Sequence, residues 1–293
     1  MLEEQIKYLE AARNSGSLFY TRQNGEEEHF FTLKDRPDAA WLEKKTANWH
    51  YVLYEPDELP VQGWKIHLSA TVKQAQGMLD AVAPCLIKQK VSFKFQSSLE
   101  QYVESNSKYA DRGESGKFIT VYPRGEEEFA CLLAELQKLT ETFALGPYIL
   151  SDQNWQESNV YFRYGGFKPL YLVNAAGERV PAIYDPAGNK VADQRLPYYQ
   201  QADFVKDLPI FGKNTFPKQE AFAPLEEYQV KEALHFSNAG GVYLALHEGK
   251  KVVLKEGRQQ AGLDANLKDG FARVENEAEI LRQLADLTGV VNY

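Results

Sequence analysis

Apolar and polar positions alternate through GWKIHLSAT, residues 63–71, where Trp64, Ile66 and Leu68 interleave with Lys65, His67 and Ser69. That period of two predicts a strand with one apolar face, and it sets a lysine and a histidine side by side on the other. The same reading makes HFFTL (29–33), WHYVLY (49–54), VSFKF (91–95), KFITVYP (117–123), PYILS (147–151) and VYFRYGGF (160–167) strands. Two turn signals within 171–193 predict a pair of hairpins. Apolar residues at helical spacing predict a helix through Val72, Ala75, Leu79, Val82 and Leu86, kinked at Pro84. Further helices are expected over 1–15, after the 91–95 strand to about Lys108, and from Glu126 to Phe143. Strands and helices mix without a βαβ rhythm, so the fold class is α+β with a mixed sheet.

Periodicity is lost over 195–223, a stretch rich in Pro, Phe, Tyr and Gln, and it restarts after Pro224. This predicts a first domain over 1–200, a linker over 201–223 and a second domain over 224–293. The 293 residues are 44% hydrophobic, enough for a sizeable core, and carry a net charge of −8. A chain that acidic has no surplus of cations to replace phosphate counterions, which argues against general nucleic-acid binding. Cys85 and Cys131 have no paired spacing and support neither a disulfide framework nor a structural zinc. The N-terminus is charged and amphipathic and lacks a signal peptide's apolar stretch, so a cytoplasmic protein is expected, with no membrane partner.

Against that acidic background a few cations stand in telling contexts. Lys65, Lys94 and Arg163 lie within apolar and aromatic strand runs, Arg112 in the glycine loop ADRGESG (110–116), and Lys117 at the start of the next strand. Each alone reads as a residue on a solvated strand face, Lys117 most of all. Together they suggest a pocket for a phosphate dianion, with Arg112 and Arg163 giving forked hydrogen bonds.

In that order, GWKIHLSAT, SFKF, ADRGESGKFITVYP, ILSD and YFRYGGF closely resemble the N-terminal lyase domain of class III lanthipeptide synthetases, itself similar to the phosphothreonine lyases of bacterial effectors. The resemblance covers roughly residues 1–200. It implies a phosphothreonine-lyase-like fold and β-elimination of phosphate from phosphoserine or phosphothreonine in a precursor peptide, without a metal or other cofactor. On this resemblance Lys94 looks like the base that takes the α-proton and His67 like the acid that protonates the leaving oxygen. Lys65, Arg112 and Arg163 look like the phosphate clamp, Lys117 and Tyr122 like supporting donors, and Asp152 like an orienting acid. The effector lyases have a further arginine shortly after the one matched by Arg163; here the nearest cation is Lys168.

The chemistry constrains these roles. Lys94 must be uncharged to act as a base, which requires burial and cationic neighbours, Lys65 and Arg112 being the expected ones. His67 must be protonated, a form that a bound phosphate favours.

Past residue 224 the sequence resembles the start of a protein kinase. Gly240 and Gly241 fall in a degenerate glycine-rich loop, Lys255 in the third strand, and Glu277 on a helix where it would pair with Lys255. The other reading is a plain β-meander. No HRD-type loop or DFG follows, so this segment is expected to be an incomplete N-lobe and the chain part of a larger lyase–kinase–cyclase enzyme. ATP and Mg would serve only the complete kinase, and a partial lobe exposing apolar surface could engage another copy. Two competing functions remain for the first domain: a non-catalytic phosphopeptide-binding module serving the kinase, and a free-standing virulence lyase, which the kinase-like tail disfavours.

Overall fold

A computed structural model describes residues 29–35, 37–214, 227–264 and 266–290; the helix expected over 1–15 lies outside them. The described residues fall into two compact units, one within 28–102 and 112–218, the other within 103–111 and 219–293.

The first unit is built on a seven-stranded sheet. Its elements are β1 (Trp41–Lys45), β2 (Trp49–Tyr54), β3 (Gln62–Leu68), α1 (Ala75–Lys88), β4 (Ser92–Gln96), α2 (Leu99–Ser105, which runs out of the unit), β5 (Ile119–Tyr122), α3 (Glu126–Thr140), β6 (Gln153–Asn154) and β7 (Val160–Gly166). The strand order is β1-β2-β4-β5-β3-β7-β6. Every pairing in it is antiparallel, so the α+β class stands while the expected mixed sheet is an antiparallel one.

Alternation explains why one face is dry. Phe93, Phe95, Ile119, Val121, Ile66, Leu68, Val160 and Phe162 share it and are fully buried against Met78, Leu79, Val82 and Leu86 of α1 and Phe129, Leu132, Leu133 and Leu136 of α3. Each such side chain contributes roughly 1.5–3 kcal/mol by leaving water. A 3₁₀ turn at Val72–Gln74 leads into α1, which runs through Pro84. Three glutamates, Glu126 to Glu128, occupy the first turn of α3, where negative charge complements the helix dipole.

Two expected strands are absent. HFFTL contributes only the bridge Phe30–Ser98. PYILS is irregular because its backbone serves side chains instead of a ladder: the Pro147 carbonyl accepts from Ser69 Oγ at 2.6 Å. The helix from Glu126 also stops at Thr140, short of Phe143. The expected hairpins form as β8 (Tyr171–Val173), β9 (Arg179–Tyr184) and β10 (Lys190–Ala192).

In the second unit an antiparallel sheet of β11 (Tyr228–Ser237), β12 (Gly240–His247) and β13 (Lys250–Lys255) precedes α4 (Gly270–Gln283). Asp269 caps α4 by accepting from the Ala272 amide. Lys255 and Glu277 form an ion pair, and Gly240 and Gly241 open β12. Val230, Leu234 and Val253 stand exposed on this sheet. No helix among the described residues is long and apolar enough to cross a membrane.

Candidate active site

The polar face of the seven-stranded sheet carries the site. Pairing register puts Tyr51, Lys94, Thr120, His67, Tyr161 and Asn154 in one cross-strand row over β2, β4, β5, β3, β7 and β6. Two residues along the same strands, Tyr122, Lys65 and Arg163 form the next line on that face. Lys94 and His67 therefore stand two strands apart, a backbone separation of roughly 9–10 Å, with Thr120 between them. Its buried Oγ1 has no hydrogen-bond partner among the described residues.

Lys94 lies over the Trp49 ring at 3.8 Å and the Tyr51 ring at 5.5 Å, which holds its ammonium in place. Burial lowers its pKa to about 8; Glu114 opposes that shift, and Arg195 and Lys117 add to it. The neighbouring cations are thus Arg195 and Lys117 in the place expected of Lys65 and Arg112.

His67 is buried and bonded through Nδ1 to Asp152, an acid that has no exposed side-chain surface. That contact fixes the tautomer, with Nδ1–H donating and Nε2 left for other partners. Burial lowers the His67 pKa to about 4 despite Asp152, with Lys117 and Lys65 assisting. Burial alone would raise the Asp152 carboxyl, but His67, Lys117 and Arg163 hold it well below the usual range. Asp152 also accepts from Ser151 Oγ at 2.7 Å.

The other cations gather around these groups. Lys65, only 5% exposed, donates to the Gly166 carbonyl at 3.0 Å, and burial together with Arg163 drives its pKa far down. Arg163 donates through Nη2 to Asp193 at 2.6 Å and to the Gln194 carbonyl at 2.9 Å, so this nitrogen of the expected fork is already engaged. Lys117 is buried, contrary to the solvated reading of its position. It donates to the Gly113 carbonyl at 2.7 Å and lies 3.3 Å from Glu114 and 4.0 Å from Asp152. Tyr122 is buried against Phe167 and its phenol stays protonated, burial raising its pKa. Arg112, half-buried, opens the loop that carries Glu114 and Lys117. Lys168 turns elsewhere and donates to the Asp57 carbonyl at 3.0 Å.

Sequence reading passed over Glu114, Thr120, Asp193 and Arg195. Arg195 Nη1 lies 3.1 Å from Glu114, and its Nη2 lies 3.7 Å from Asp193. Trp49 and Tyr51 were within reach, because alternation in WHYVLY puts both on the face away from Val52.

Two glycines beside the site stand close to their neighbours. Gly116 has φ +89, and a Cβ there would meet Ile149 Cγ1 at 2.9 Å. At Gly165 a Cβ would come within 3.0 Å of Asp193 Oδ1 and 3.1 Å of Lys65 Nζ. Gly165→Ala is expected to destabilise the fold by about 1–3 kcal/mol and to displace Lys65; an unchanged melting temperature with unchanged phosphate binding would contradict this packing.

Comparison with known proteins adds to the geometry. The chain is 40% identical over 251 residues to "Probable SapB synthase" of Streptomyces coelicolor (strain ATCC BAA-471 / A3(2) / M145), covering 85% of this chain and 27% of that protein's length. Among solved structures, the Chromobacterium violaceum VirA (SpvC) phosphothreonine lyase effector is similar at TM-score 0.37 and 16% identity, over 55% of this chain and 84% of that one. The type III effector/phosphothreonine lyase OspF from Shigella flexneri is similar at TM-score 0.36 and 13% identity, over 56% of this chain and 90% of that one. Residues 29–221 match the family model described as RamC, N-terminal domain, and the chain belongs to that family.

Proposed function

We propose that the first unit eliminates phosphate from phosphoserine or phosphothreonine in a lanthipeptide precursor, leaving dehydroalanine or dehydrobutyrine. The observation that carries this reading is the single row in which Lys94 and His67 flank Thr120 under a group of cations. In the reaction Lys94 Nζ takes the α-proton and the Cα–H electrons become the Cα=Cβ bond. The Cβ–O bond breaks as His67 Nε2–H protonates the departing oxygen, releasing hydrogen phosphate. Lys65, Lys117, Arg112 and Arg163 neutralise the phosphate, so the step needs no metal. Asp152 keeps the imidazole in the tautomer that presents Nε2. In this reading the substrate partner is a phosphorylated peptide in the cytoplasm. The parent protein adds a complete kinase, which uses ATP and Mg to make that substrate, and a cyclase. The second unit is then the start of the kinase, with Gly240, Gly241, Lys255 and Glu277 in its nucleotide site.

The two pKa values have a consequence for pH. Near neutrality the free protein holds Lys94 mostly protonated and His67 neutral, the reverse of the reactive arrangement. The pair carries one proton between them from about pH 4 to about pH 8. Transfer of that proton from Lys94 to His67, favoured by the arriving dianion, gives the reactive form. The step's kcat/KM should therefore fall above about pH 8, where the pair loses its proton. Arg195→Gln removes a positive charge that lowers the Lys94 pKa, so the alkaline limb should move to higher pH. A limb that stays where it was would contradict the assignment.

The direct test is incubation with a synthetic phosphoserine peptide followed by mass spectrometry. Loss of phosphoric acid is the expected result. Retained mass with measurable binding would favour the phosphopeptide-binding module instead, and a serine product would mean hydrolysis.

A further inference from the structure

We propose that Arg195 is a further phosphate ligand of this site, and that the Glu114 carboxylate holds the anion position in the free protein until substrate displaces it. The inference rests on the lyase reading and names a binding residue and an exchange that the reading does not contain.

The cations of the site differ in how far they are already engaged. Lys65 and Arg163 are at most 5% exposed, and each is bonded to a carbonyl oxygen. Arg163 also holds Asp193. Lys117 is equally buried and tied to the Gly113 carbonyl. The Arg195 side chain is 39% exposed, so its guanidinium reaches both the group and solvent. Its planar fork suits a phosphate, and its present partners are two carboxylates, Glu114 and Asp193.

Glu114 shares that mixed position. Its side chain is 39% exposed, yet its two oxygens bridge Arg195 at 3.1 Å and Lys117 at 3.3 Å. It also lies close enough to Lys94 and His67 to be felt electrostatically by both. One anion therefore sits among four of the groups assigned to phosphate and proton transfer. Phosphate carries more charge and more acceptor oxygens than a carboxylate and competes for the same donors.

The backbone under Glu114 is fixed. The Gly113 carbonyl accepts from Lys117 Nζ, and Ser151 Oγ lies 2.8 Å from it. Exchange thus needs only a swing of the Glu114 side chain toward solvent. It leaves Arg195 and Lys117 aimed at the incoming anion, so that neither cation is without an anionic partner in either state.

Titration calorimetry with inorganic phosphate, in a chloride buffer, tests this on the whole chain. Both side chains are partly exposed, so the variants should fold, and circular dichroism checks that. Glu114→Gln is expected to bind phosphate about tenfold tighter than the parent, and Arg195→Gln about tenfold weaker. The gain from Glu114→Gln should shrink in the double variant, because the carboxylate then has one cation fewer to release. Phosphate affinity unchanged or weakened by Glu114→Gln, or unchanged by Arg195→Gln, would overturn the proposal and leave the lyase reading standing. Folded parent and variants that all fail to bind phosphate would overturn both.

Discussion

Replacing Lys94 by methionine is expected to slow phosphate elimination by roughly 10²–10⁴-fold, with phosphopeptide binding retained. Methionine keeps the stem against Trp49 and Tyr51 and removes only the amine. The loss should lie in kcat, because the base acts on the α-carbon and the phosphate is held by other cations. Lys94→Arg sharpens the test. A guanidinium is charged at any pH the fold survives, so it preserves the local charge and cannot accept a proton. Both variants should be slow in single-turnover measurements. An active Lys94→Arg enzyme would assign Lys94 to charge and move the base elsewhere, with buried Lys65 the next to examine.

The second large effect is expected at His67. Truncation to alanine would leave Asp152 buried beside a lost partner, at a cost of about 3–5 kcal/mol, and would confuse folding with catalysis. Asparagine avoids this, since its amide N–H can donate to Asp152 as Nδ1–H does now. His67→Asn should therefore fold, bind phosphate, and lose roughly 10²–10⁴-fold in turnover through the missing acid. Turnover close to the parent's would show that the departing oxygen finds its proton elsewhere, with Tyr122, buried and protonated, the alternative donor.

Alternation in 63–71 and 91–95 set Lys65 and His67 on one face of their strand and Lys94 opposite Phe93 and Phe95. These are local properties of a pleated chain. The order β2-β4-β5-β3-β7-β6, which brings Lys94 and His67 either side of Thr120, depends on pairings between residues far apart in the chain. No period reveals it, and only the ordered resemblance of motifs pointed there. Lys117 reads as a strand-opening lysine until the fold closes Gly113, Glu114 and Asp152 around it. Arg195 heads the stretch where periodicity is lost, and its importance comes from Glu114, some eighty positions earlier. The apolar run PYILS looked like a strand because hydrophobicity does not show where backbone hydrogen bonds go. In the second unit, only the resemblance to a protein kinase singled out Lys255 in the third strand and Glu277 on the following helix, and the two side chains form an ion pair.

In the proposed reaction an amine takes the α-proton while the phosphate leaves. Turnover of a peptide whose phosphoserine carries deuterium at the α-carbon measures this directly. The predicted result is a dehydroalanine product with the deuterium gone, formed more slowly than from the protium peptide. Deuterium retained in a serine product, released at an unchanged rate, would contradict it.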